Sequence, residues 1–268
     1  MFGSGRDHSL WNKLQIYSTP SDLRNPILLV SVSTSNPQYL LLYSQARELG
    51  KFLISKLDFM LIASLYSSAL SPEVQVSTDG IADLVANNFY VHRGKDRDYI
   101  LFAGHASPIG DEYEYADVVL SFAKSLGVKE LVSFGARWSE ETISPYATPK
   151  VSGFSTDKTG TERLEQCEVE ILRNENALFF ANTIVALCRF HDIRGYKLSV
   201  DHGEPAPHPK SLISFLGVLS SLTGLEVDAS DLVTRSKELA EAIKHAEYEP
   251  VSDEDEEGKH RDGRDLYR

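Results

Sequence analysis

Short apolar runs rich in β-branched and aromatic residues recur at 27–33, 60–66, 88–92, 99–104, 130–135 and 196–200. Several are almost continuously apolar, the pattern of strands covered on both faces. Helical patterns lie between them. Asn36-Pro37 offers a cap residue and a first-turn proline ahead of a helix from Tyr39 to about Lys56. Tyr115, Val118, Val119, Phe122 and Leu126 keep helical spacing and stop at Gly127, which suits a C-terminal cap. Residues 177–191 predict a largely buried helix, and 210–222, entered through prolines and closed by Gly224, predict another. Ser230 caps a last helix with a stripe of Leu232, Leu239 and Ile243, flanked by Val233, Ser236 and Ala240.

Alternation of strand and helix from 27 to about 200 predicts an α/β fold, a mostly parallel sheet sandwiched by helices. The stretch 139–158 is rich in Pro, Ser, Thr and Gly and predicts a long loop, with room for one strand at 150–154. No internal repeat and no composition break appears before Pro250. The expected organisation is therefore one α/β domain over 1–248 and a separate tail over 249–268. The tail is charged and almost free of apolar residues until its last three positions, so it cannot bury enough surface to offset its ordering entropy. It is expected to be disordered.

Charge sharpens this division. The chain carries 27 Lys+Arg against 39 Asp+Glu, a formal charge of −12, which argues against a general nucleic-acid binder and against an anionic membrane surface. Residues 249–268 hold eight acids and four bases and account for −4 of it. No apolar run reaches the roughly 18 residues of a membrane span. The start lacks the apolar core of a secretory signal. With only Cys167 and Cys188, neither at metal-binding spacing, a reducing cytoplasmic location is expected.

Candidate chemistry is sparse. After the first predicted strand comes Ser33-Thr34-Ser35-Asn36-Pro37, with no glycine, so neither a dinucleotide fingerprint nor a P-loop is present. Gly104-His105 and Gly135-Ala136-Arg137 stand at strand ends, where such folds place ligands, although glycine there also serves as a tight turn. His202, Glu204 and His208 have metal-like spacing, but their three prolines predict an exposed loop rather than one helical face. His92 and His105 are expected to be structural or surface residues. No Gly-x-Ser-x-Gly elbow occurs. Cys167 precedes Glu168 and Glu170, which raise a thiol pKa, and Cys188 lies within an apolar helical pattern. No catalytic residue, cofactor site or metal site is assigned, and a non-enzyme is expected.

The informative feature is Leu266-Tyr267-Arg268. An acidic arm ending in a large apolar residue, a tyrosine and a carboxylate suits pocket docking. Leu fills an apolar slot, Tyr adds ring area and a hydroxyl, and the carboxylate pairs with a lysine or a backbone nest. A 20-residue arm has a mean reach of about 25 Å. The ending resembles the hydrophobic–Tyr–X motif with which proteasome activators and assembly factors insert between α-subunits of the core particle.

Residues 26–230 also resemble the proteasome assembly chaperone 2 family, in its archaeal branch. The matching stretches are ILLVSVSTSNPQYLLLYSQARELGKFLISKL, NNFYVHRGKDRDYILFAGHASP, EYADVVLSFAKSLGVKELVSFGAR and the proline-rich HGEPAPHPKS before a helix. The resemblance implies an α/β sandwich of nucleoside-phosphorylase-like type. It also implies an ATP-independent, oligomeric chaperone that binds the proteasome core particle or its α-subunits through Leu266, Tyr267 and Arg268. Many family members carry a glycine-rich turn where this chain has Thr34-Ser35-Asn36-Pro37. The alternative is a nucleotide- or small-molecule-binding enzyme of ATP-grasp type, built on the strand C-terminal loops.

Overall fold

The structure is a computed structural model and describes residues 11–32, 40–104, 107–138, 148–202 and 209–248. The edge strand β1 (Asn12–Ile16) is followed by β2 (Ile27–Val32), whose six residues are all buried. The continuous apolar run thus marks a central strand. Helix α1 (Leu40–Lys56) packs through Ala46, Leu49 and Leu53. A side chain at Gly50 would collide with Ser31, whose hydroxyl donates to the Ala46 carbonyl, so glycine there lets α1 settle onto β2.

Strand β3 (Met60–Ser67) leads to a two-stranded hairpin, β4 (Val74–Val76) and β5 (Ala82–Leu84). Strands β6 (Asn87–Arg93) and β7 (Asp98–Gly104) form a second hairpin, anchored by the buried Asp98. Its carboxylate accepts from Arg24 N at 2.8 Å and from Arg93 Nη1 at 2.7 Å. Helix α2 (Glu112–Ser125) ends as its spacing predicts. Gly127, at φ 85°, donates to Lys124 O, and Val128 donates to Ala123 O.

Then come β8 (Glu130–Trp138), β9 (Val151–Ser155), α3 (Lys158–Gln166), β10 (Glu170–Ile171) and α4 (Phe180–Leu187), which closes on a 3₁₀ turn. Strand β11 (Arg194–His202), α5 (Pro209–Thr223) and α6 (Ser230–Tyr248) complete the chain.

Among the described residues nine strands make one sheet, in the order β1-β3-β6-β7-β2-β8-β11-β9-β10. Its centre, β7-β2-β8-β11, is parallel, while β1-β3-β6-β7 and β11-β9 pair antiparallel. Helices cover both faces. Leu28, Val30, Phe89 and Phe102 meet α2 and α4 on one side. On the other, Leu29, Leu101, Val132 and Leu198 meet α1, α3, α5 and α6.

Two elements depart from the sequence pattern, and a third matches it. Residues 177–179 do not join α4, because Phe179 sits at φ 77° and breaks the helix start. Strand β8 runs past Gly135, so Gly135-Ala136-Arg137 is strand rather than turn. The loop predicted over 139–158 includes β9, as its apolar positions suggested, and the start of α3.

Candidate functional site

The four parallel strands β7, β2, β8 and β11 point the same way and end at Gly104, Val32, Trp138 and His202. Carboxyl ends of parallel strands are where α/β folds bind ligands. On the α4 side, β8 and β11 present a polar ladder there: Ser133, Gly135 and Arg137 lie in register with Lys197, Ser199 and Asp201. Ser133 Oγ donates to Ala181 O at the start of α4, 2.7 Å away. Arg137 Nε lies 3.2 Å from Asp201 Oδ1. Burial pushes the Asp201 carboxyl up, against the opposing pull of Arg137.

Lys197 is only 2% exposed. Its Nζ donates to Leu198 O at 2.8 Å and lies 3.1 Å from Ser199 Oγ. No carboxylate among the described residues reaches it as an ion pair. Burial lowers its amine to about 7, because a desolvated ammonium loses far more hydration than two neutral acceptors return. Sequence reasoning passed over this group. The signal was a single lysine among the apolar and hydroxylic residues of 196–200.

The ladder can hold or release a proton, but it does not assemble a nucleophile, a base and an orienting group. Cys188 is buried, its thiol pushed up to about 12 by burial. Cys167 is also raised by burial, with Arg163 acting against it. His92 packs between Phe59 and Tyr99, tilted against the first and stacked on the second, at ring separations of 5.4 and 6.2 Å. His202 is buried beside the Gln45 amide, whose Nε2 lies 3.3 Å from His202 Nδ1, rather than in an exposed loop. Glu204, His208 and His105 lie outside the described residues. No group of three potential metal ligands converges among the described residues.

Leu266, Tyr267 and Arg268 also lie outside the described residues. The structure describes the helix that leads toward them. Asp228 Oδ1 accepts from Ser230 N at 2.9 Å at the start of α6, and Lys56 of α1 pairs with Asp231 at 2.5 Å. Leu232 and Ser236 are buried, while Leu239 and Ile243 of the expected stripe are only half-buried. The helix is therefore fixed firmly at its amino end and more loosely toward residue 244. No described helix is long and apolar enough to cross a membrane.

The layers and the ladder define a three-layer α/β protein with a buried polar seam. The chain belongs to the PAC2 family, whose sequence model matches residues 46–247. Comparison with curated proteins finds no match.

Among solved structures, the chain is similar to Pyrococcus furiosus PbaB, an archaeal proteasome activator. The TM-score is 0.72 at 22% identity, over 88% of this chain and 98% of that one. It is similar also to Pyrococcus furiosus PbaA, an archaeal homolog of proteasome-assembly chaperone, with TM-score 0.68, 17% identity, and 88% and 91% coverage. A Mycobacterium tuberculosis proteasome-assembly chaperone homologue gives 0.70 at 18% identity, with 84% and 96% coverage. At these identities the likeness is one of fold.

Proposed function

We propose that this protein is a nucleotide-independent chaperone or binding factor of the proteasome. In this reading residues 1–248 form one α/β domain, and 249–268 form an acidic arm. The arm's Leu266, Tyr267 and Arg268 dock into pockets between α-subunits of the core-particle ring. PAC2 family membership across 46–247 is the observation that carries the reading. The fold shared with PbaB supports it.

The tail chemistry supplies the mechanism. Leu266 and Tyr267 contribute apolar area in a pocket, and the Arg268 carboxylate sets orientation. One such tripeptide binds weakly. A homo-oligomer presenting several arms gains from effective concentration, which is why an oligomer working in the cytoplasm belongs to the proposal. Acids 253–257 keep the arm extended by self-repulsion.

The test is recovery of purified core particle on immobilised protein, comparing the full chain with one ending at Asp265. Recovery lost with the last three residues supports the docking role. Equal recovery contradicts it and moves binding to the α/β domain.

A further inference from the structure

On the face covered by α1, the sheet changes character. Over β2, β8 and β11 it is mostly aliphatic and aromatic, with Leu29, Val132, Phe134 and Leu198 in the core and Ser31 bound to the α1 backbone. Over β3 and β6 the same face carries Ser64, Tyr66, Asn88 and Tyr90. These residues floor a cleft of about 430 Å³, within the range of small-molecule sites. One wall is Arg47, Lys51 and Ile54 of α1, and the other is Gln75, Asp83 and Leu84 of the β4–β5 hairpin.

The polar groups of the floor are ordered in one direction. Tyr17 OH donates to Ser64 Oγ at 3.2 Å, and Ser64 Oγ donates to Asn88 Oδ1 at 2.6 Å. Asn88 Nδ2 then donates to Tyr90 OH at 3.2 Å. The relay ends on Tyr90 as acceptor, leaving the Tyr90 proton for something in the cleft. Tyr66, beside Tyr17 and Ser64, keeps its proton, its phenol pushed up to about 12 by burial and by its neighbour Tyr17.

The α1 wall is short of acceptors. Glu48 serves both cations, with Lys51 Nζ at 2.8 Å and Arg47 Nε at 3.7 Å, so one carboxylate faces two positive charges. The Arg47 Nε is buried and makes no hydrogen bond. An inaccessible N–H that meets its carboxylate only at ion-pair distance leaves a donor open to a closer acceptor. Asp83, across the cleft, is exposed and accepts from Leu84 N at 2.8 Å. On the α1 wall the groups left over are therefore donors, Asp83 is the one carboxylate among the described lining residues, and Ile54, Leu61 and Leu84 supply apolar contact beside them.

We propose that this cleft binds a small organic anion, an apolar or aromatic body bearing a carboxylate or phosphate. Arg47 and Lys51 take the anionic group through charge-assisted hydrogen bonds. Tyr66 and Tyr90 donate to its remaining acceptors, and Ile54, Leu61 and Leu84 contact the body. None of the residues named in this cleft belongs to 249–268, and binding at this cleft does not depend on proteasome docking.

The test is the thermal midpoint of the full chain with millimolar phenyl phosphate, 3-phenylpropionate or adenosine monophosphate. Benzyl alcohol and adenosine are the neutral controls, and inorganic sulfate controls for salt. The proposal expects at least one of the three organic anions to raise the midpoint by about 2–4 °C. The neutral compounds and sulfate should not. Comparing phenyl phosphate with 3-phenylpropionate shows which anionic group the site prefers.

An Arg47→Gln/Lys51→Gln double variant, checked for its own fold by circular dichroism, should lose the response. Lys158→Gln, at a side chain 91% exposed on α3, should keep it. No shift with any of the three anions overturns the proposal. So does an equal shift with the controls or in the double variant.

Discussion

The amine of Lys197 fills the space in which a side chain on Gly135 would stand, so that a Cβ added at Gly135 would collide with Nζ. The two residues belong to neighbouring parallel strands, and the missing side chain of one makes room for the buried amine of the other. This pairing lies in the polar seam at the carboxyl end of the sheet.

Replacing Gly135 with Ala is therefore expected to cost about 1–3 kcal/mol, the usual range for overpacking a filled interior. The penalty should shrink in a Lys197→Ala background, where the collision is gone. Urea unfolding of the two single variants and the double variant measures the coupling. Strictly additive effects would show that the two residues do not compete for one space.

Lys197 also makes stability depend on pH in a definite direction. Its amine is lowered from 10.5 in the unfolded chain to about 7 in the fold. Below about 7 both states carry the proton and the full cost of burying charge is present. Between about 7 and 10.5 the unfolded chain binds the extra proton, so stability rises with pH across that window. Lys197→Met should stabilise the protein, by more at pH 6 than at pH 10. The difference should be on the order of several kcal/mol at most. Denaturant midpoints at the two pH values check it, and an equal gain at both would show that the amine is not neutralised in the fold.

Glu130 joins three partners at the opposite end of the sheet. Arg97 Nη1 donates to Oε2 at 2.9 Å, while Arg163 Nη1 and Tyr196 OH reach Oε1. Burial would raise its carboxyl, but the Arg97 hydrogen bond and the charges of both arginines hold it below the usual 4.5. Its contribution is present above that value and is lost as pH falls through the lower value in the fold. Glu130→Gln leaves two arginines facing a neutral amide and should cost about 2–4 kcal/mol near neutral pH. The acid limb of the stability curve should flatten, as pH-dependent unfolding would show. An unchanged acid limb would remove Glu130 as the cause.

The central strands were legible because burial on both faces writes itself as unbroken apolar runs, as in β2. Strand direction was less so. The antiparallel β6–β7 pair follows from its four-residue link at 94–97, too short for the crossover that a parallel pair requires. The exposed β4–β5 hairpin and edge strand β1 carry little periodic burial and were not predicted. Helix α3 buries only Gly160 and Leu164, so it lacks a stripe, and its visible sign is the Asp157 cap on Gly160 N. The relay from Tyr17, just past β1, to Tyr90 joins strands β3 and β6 and has no local signature. Leu266, Tyr267 and Arg268 lie outside the described residues, and the docking proposed for them rests on sequence alone.

The most direct measurement of the central claim is the affinity of the full chain for immobilised proteasome core particle, compared with Tyr267→Ala. The account predicts binding weakened about tenfold or more, since the aromatic anchor carries much of a small interface's energy. Unchanged affinity would contradict docking through the arm.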